Sequence, residues 1–151
     1  MTLDEFTPQA VMQVAVNMRE WDYKEIYATR WNNNPADLVA DCMFARRFGW
    51  IAGLDQPIAV IGALPTHPGN WQVFMFATDE ICRIGLPLTK FAKFAIVPAL
   101  KAVGARRLEC KSMKGHRDAQ RWLEVLGGKR EARLPGYGRN GETFYQYALT
   151  V

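Results

Sequence analysis

The sequence predicts an α+β fold, a single domain over residues 1–151 in which one mixed β-sheet is flanked by helices. Three observations carry this expectation. The chain has 151 residues, 49% of them hydrophobic and 23% charged, which suits one globular domain. Its apolar periodicity is helical in the N-terminal part and turns strand-like at Gly49. Between Trp71 and Met113 a strand-like run, a helical run and a second strand-like run follow one another, which implies a parallel crossover inside a mixed sheet.

Thr7 and Pro8 read as N-cap and first helical residue. Val11, Val14, Ala15 and Met18 follow at amphipathic helical spacing. Asp22 to Glu25 has the form of a capping box opening a second short helix through Ile26 and Thr29. Asn34 and Pro35 start a third, with Leu38, Val39, Cys42 and Met43 facing inward. Trp50–Leu54 and Ile58–Leu64 read as a hairpin around Asp55, Gln56 and Pro57, and Trp71–Thr78 as a central strand, apolar on both faces. Asp79–Gly85 reads as a loop. Leu86–Val103 is expected to be helical, with Leu88, Phe91, Ala95, Ala99 and Ala102 on the inner face, a kink at Pro98 and Gly104 just past the end. Arg107–Met113 reads as a strand and Arg117–Leu126 as a helix stopped by Gly127 and Gly128. Lys129–Leu134 and Thr143–Val151 read as a closing hairpin. On the helix, Trp122 falls on the inward stripe and is expected to be a core anchor.

Composition excludes several classes. No apolar run approaches the roughly 20 residues of a membrane span, and the acidic start MTLDEFTPQ lacks the basic and apolar regions of a secretion signal. Cys42, Cys82 and Cys110 are odd in number and in no CxxC pair. With His67 and His116 they make no zinc spacing, so neither a disulfide framework nor a metal site is expected. Residues 1–80 carry five basic against ten acidic side chains, and residues 81–151 fourteen against five. The basic half suits an anionic partner or an ordinary solvated face. Lys111, Lys114, Arg117 and Arg121 are the expected ridge for a non-specific nucleic-acid contact.

The element order from Trp71 onward and the segment His116–Glu131 resemble the GNAT (Gcn5-related N-acetyltransferase) family. That family's fourth main helix carries an Asn, an Ala three residues on, a Leu-Tyr pair and a closing Gly-Phe. Ala119 and Gly127 match, while His116, Trp122, Leu123 and Gly128 replace the Asn, Leu, Tyr and Phe. Asn17–Glu25, Asp55–Gly62 and Trp71–Asp79 are similar to GNAT-like proteins of short-tailed (podovirus) phages, which include internal virion proteins and acyltransferases.

The resemblance implies a GNAT fold and three functional parts. A pyrophosphate cradle falls on Arg83, Ile84, Gly85 and Leu86, where the family's second glycine is missing and Pro87 removes an N–H. The proton donor to the departing thiolate falls on Leu123, which has no proton to give. Candidates for acid–base work are then Glu80, His116 and Tyr145, with Tyr137 and Tyr147 as further hydroxyls from the last hairpin. These departures lead to the expectation of a virion-associated structural protein on an acyltransferase scaffold, found in the virion and the host cytoplasm. It would use no cofactor and would meet other virion proteins and packaged DNA through its basic half, with no membrane contact. The alternatives are an acetyl-CoA-dependent N-acetyltransferase and a small basic nucleic-acid-binding module.

Overall fold

The computed structural model describes residues 1–151. Its strands are β1 (Thr2–Asp4), β2 (Gly49–Gly53), β3 (Pro57–His67), β4 (Asn70–Ala77), β5 (Arg107–Met113), β6 (Lys129–Leu134) and β7 (Phe144–Thr150). They join in one sheet ordered β1-β2-β3-β4-β5-β7-β6. Helices α1 (Pro8–Val16), α2 (Glu20–Ala28) and α3 (Pro35–Cys42) pack on one face, where Val11, Val14, Leu38 and Val39 meet Val60 and Phe76. Helices α4 (Gly85–Phe91), α5 (Val97–Ala102) and α6 (Arg117–Val125) pack on the other, where Leu88, Ile96 and Leu100 meet Ile61, Ala77 and Leu108. The fold is α+β, as the sequence predicts, and residues 58–63 of β3 and both ends of β4 are buried because helices cover both faces of the sheet. No helix is long and apolar enough to cross a membrane.

Local chemistry sets the helix ends. Thr7 accepts a hydrogen bond from the Ala10 N–H, and the Asn34 side chain accepts one from Ala36 N–H, each with Pro at the first helical position. Past α5, Gly104 takes φ +97° and donates to the Lys101 carbonyl while Ala105 donates to that of Leu100. These two hydrogen bonds close the helix and need a residue free to adopt the left-handed region.

Three expectations change. First, β1 was not legible in the sequence: it pairs Thr2–Asp4 with Ile51–Gly53 and owes its form to the open edge of β2 rather than to an apolar pattern. Second, Asp22 to Glu25 is no capping box. Helix α2 starts at Glu20, with Arg19 as N-cap making no side-chain capping bond, and both carboxylates are drawn to strand-end N–H groups. Third, the inner face of residues 85–102 is Leu88, Ala92, Ile96 and Leu100, not the alanine stripe. Ala92–Ile96 is a π turn in which Val97 donates to the Ala92 carbonyl. The wider turn accommodates Pro98, which has no N–H for the Phe94 carbonyl, and keeps residues spaced by four in line.

The feature that shapes the molecule lies between β4 and β5. They are parallel neighbours only at Asn70–Arg107, Trp71–Leu108 and Gln72–Glu109. Beyond Gln72 and Glu109 the two strands part, β4 continuing beside β3 and β5 beside β7. The sheet therefore opens into a wedge toward the strands' C-terminal ends.

The corrected helix face can be tested by stability. Leu100→Ala should cost about 2–5 kcal/mol in denaturant unfolding, whereas Ala99→Ser, on the exposed side, should stay within about 0.5 kcal/mol of wild type.

Candidate active site

The wedge is a cavity of about 390 Å³ open to both faces of the sheet. On the α4–α6 side its wall is apolar, built from Ile96, Val97, Leu100, Trp122, Leu123 and Leu126. Helix α6 lies over the parted strands rather than over filled sheet, so its inner stripe faces a cleft. Trp122 is accordingly half-buried on that wall, its indole N–H donating to Thr89 Oγ1 at 2.8 Å, and is not the enclosed core anchor the spacing suggests.

On the α2 side the wall is polar. Asp22 and Glu25 stand three residues apart, hence on one face of α2. Asp22 Oδ2 accepts the backbone N–H of Ala77, the last residue of β4, at 2.7 Å, and pairs with Arg19 Nε at 2.9 Å. Glu25 Oε2 accepts the backbone N–H of Met113, the last residue of β5, at 2.8 Å, and the Ser112 hydroxyl at 3.2 Å. Each carboxylate thus caps one of the two strands that have parted.

His116 sits between them. Its Nδ1 is 2.7 Å from Glu25 Oε2 and its Nε2 is 3.3 Å from Asp22 Oδ1. A carboxylate only accepts, so Nδ1 carries a proton and donates it to Glu25. Trp21 stacks on the imidazole at 5.6 Å between centroids and 11° between planes. Gly115, at φ +96°, lets the chain turn beneath that indole, and a Cβ there would come within 2.8 Å of the Trp21 ring. Burial leaves Asp22 and His116 only 3% and 2% exposed, while the Glu25 side chain keeps 17% and faces the cavity. Desolvation raises the Asp22 carboxyl pKa above its ordinary value, against the opposing pull of Arg19.

Of the residues expected from the sequence to do acid–base work, His116, Tyr137 and Tyr147 line this cleft, and Glu80 and Tyr145 do not. Glu80 is exposed outside it and is ion-paired with Arg83 at 2.6 Å. Tyr145 is covered by the Arg130 guanidinium, 3.7 Å from its ring centre. Its neighbour on the same face, Tyr147, does line the cavity, with its hydroxyl accepting from Arg130. Cys110 is also on the wall, but burial pushes its thiol up to about 12, so it is no thiolate nucleophile at neutral pH. No cluster of three His, Cys, Asp or Glu side chains is placed to hold a metal ion.

The cradle residues Arg83, Ile84, Gly85 and Leu86 lie at the start of α4. The Ile84 side chain is fully buried and offers only its backbone, Leu86 is exposed, and Arg83 is engaged by Glu80. Open space surrounds Gly85. Asp22 and Glu25 are what sequence reasoning missed. The available signal was the i, i+3 carboxylate pair inside a helix, flanked by Trp21 and Tyr23.

No protein-family model matches the chain, and no curated protein matches it. Solved structures do. Ard1 from Thermoplasma volcanium superposes with a TM-score of 0.76 at 16% identity, covering 99% of this chain and 97% of that one. Ribosomal-protein-alanine N-acetyltransferase from Brucella melitensis gives 0.76 at 11% identity, covering all of both chains. A GNAT-superfamily phosphinothricin acetyltransferase from Sinorhizobium meliloti, in complex with acetyl-CoA, gives 0.76 at 12% identity over 99% and 88% of the two chains. The fold of this chain is the GNAT acetyltransferase fold.

The buried carboxyl of Asp22 has a testable sign. A raised native pKa means that the folded state holds this proton more tightly than the unfolded state does. Its contribution is therefore fullest below the ordinary value of 3.8 and is lost as pH rises through the native value. Asp22→Asn, which cannot ionise, should remove that dependence. The stability of wild type relative to the variant should fall as pH is raised above 3.8 in parallel denaturant titrations.

Proposed function

We propose that this protein is an N-acyltransferase that takes its acyl group from an acyl-coenzyme A thioester and passes it to an amine. The observation that carries this is the placement of the Glu25–His116 pair at the polar end of an otherwise apolar cleft between parted strands. The thioester supplies an activated acyl carbon with a thiolate leaving group. A slender pantetheine arm fits the cleft, because the β4 backbone from Val73 to Met75 has no ladder partner on the β5 side and is free to pair with amide groups.

The chain's own residues then have definite tasks. An ammonium group must lose a proton before its nitrogen can attack. Glu25 is the carboxylate of the cleft wall that retains exposure, and it takes that proton directly or through one water. His116 holds Glu25 in place through Nδ1. Tyr147 is placed to protonate the leaving sulfur, since Arg130 donates to its oxygen and leaves the hydroxyl hydrogen free. This moves the acid from Tyr145 to Tyr147 and fills the role that Leu123, also on the wall, cannot.

The grip on phosphate is the weak part. Pro87 supplies no N–H, and Glu80 places a negative charge beside Arg83. The suggestion of a catalytically idle virion component, with DNA or virion proteins as partners of the basic half, rests on the phage resemblance and on charge alone. Arg107 and Arg130, two members of that half, are spent on Glu109, Glu131 and Tyr147.

Acetyl-CoA at a hundredfold excess over its Kd should stabilise the protein by about 2.7 kcal/mol. Free thiol should appear when an acceptor amine is added. Glu25→Gln should lower kcat/KM by roughly 10²- to 10⁴-fold while keeping the acetyl-CoA stabilisation. A protein whose melting is indifferent to millimolar acetyl-CoA would sink the proposal. The phosphate end can be examined separately: Glu80→Ala should tighten acetyl-CoA binding a few-fold, as expected for an exposed charge, read by calorimetric titration.

A further inference from the structure

We propose that Lys111 selects the acceptor, and that the acceptor is a small amino acid, an amine carrying a carboxylate in the same molecule. This rests on the acyltransferase function proposed above and concerns the polar half of the same cleft.

Lys111 lines the cavity and faces the α2 side of the sheet, the side of its strand neighbour Met113, which packs against Ala28 of α2. It lies two residues before the strand end that Glu25 caps, roughly 7 Å along the strand. Its ammonium is 5.8 Å from the centre of the Tyr137 ring, which comes from the β6–β7 connection, and no carboxylate pairs with it. The other cations near the cleft are committed. Arg19 pairs with Asp22, Arg107 with Glu109 and Glu131, and Arg130 bonds Tyr147 and Gln120.

The acidic side is equally decided. Only Asp22 and Glu25 among carboxylates line the cavity. Asp22 is taken by Arg19 and the Ala77 N–H, and Glu25 has one task, the reacting amine. A second cationic group on an acceptor, as in a polyamine, would find no carboxylate and would meet Lys111. Like charges brought together in a partly desolvated cleft are strongly disfavoured, and an anionic group there is favoured. The cavity of about 390 Å³ must also take the acyl end of the donor, which leaves room for a small acceptor.

The experiment compares acetyl transfer from acetyl-CoA to glutamate, glycinamide and putrescine, in wild type, Lys111→Met and Lys111→Glu. Wild type should favour glutamate over putrescine by about tenfold or more in kcat/KM. That ratio should shrink as salt is added, fall toward unity in Lys111→Met and invert in Lys111→Glu. Lys111→Met guards against a charge reversal that fails to fold, and thermal melts check both variants. If amines are acetylated but putrescine is preferred by wild type, or the ratio is unmoved in both variants, the role of Lys111 is overturned while acyl transfer stands. If none of the three amines is acetylated, both fall together.

Discussion

Two hydrogen bonds from one helix hold open the wedge on which this structure depends. Parting two neighbouring strands deprives their backbones of ladder partners, and an unpaired buried N–H carries a desolvation cost of about 1–3 kcal/mol. Helix α2 answers with Asp22 on the end of β4 and Glu25 on the end of β5. His116 lies between the two carboxylates, bonded through Nδ1 to Glu25 and with Nε2 3.3 Å from Asp22 Oδ1, so side chains fill the mouth of the opening. A gap filled by apolar groups would collapse the cleft, and one left unpaired would destabilise the sheet. The two carboxylates satisfy the N–H groups at the strand ends and leave one carboxylate edge facing the cavity.

Most of the fold was legible because its signals are local. Thr7-Pro8 and Asn34-Pro35 announce helix starts through donor satisfaction and a fixed φ, and Gly104 announces an end through a conformation other residues resist. Trp71–Thr78 could be placed in the sheet's centre because only a strand covered on both faces tolerates apolar side chains in both directions. What was hidden depended on partners far along the chain. The three residues of β1 carry no apolar pattern of their own and take their shape from β2. The inner face of the helical stretch shifted because a π turn, invisible to a 3.6-residue count, accommodates Pro98.

The site was less legible for the same reason. His116 was recognisable as a candidate from its position before a helix. Asp22 and Glu25 form a sequence pattern that also serves as a helix cap, and local chemistry favours that simpler use. Their actual partners, Ala77 and Met113, are 55 and 88 residues away. Tyr145 and Tyr147 alternate with strand spacing, so no periodicity could tell which of the two would reach the cleft. That choice is made by the path of β7 beside the diverging β5, a property of the whole sheet.

A sheet of seven strands has two borders, and both are short of the features that let foreign chains add on. At one border β1 offers only three residues. At the other, β6 has an irregular register between Arg130 and Ala132 and carries Lys129, Arg130 and Arg133. A bulged border lined with positive charge cannot zip against its own copy without bringing like charges together and breaking step. The protein can therefore keep an opened, partly unzipped sheet at its centre while its outer strands discourage self-templated stacking at the concentrations a cell imposes.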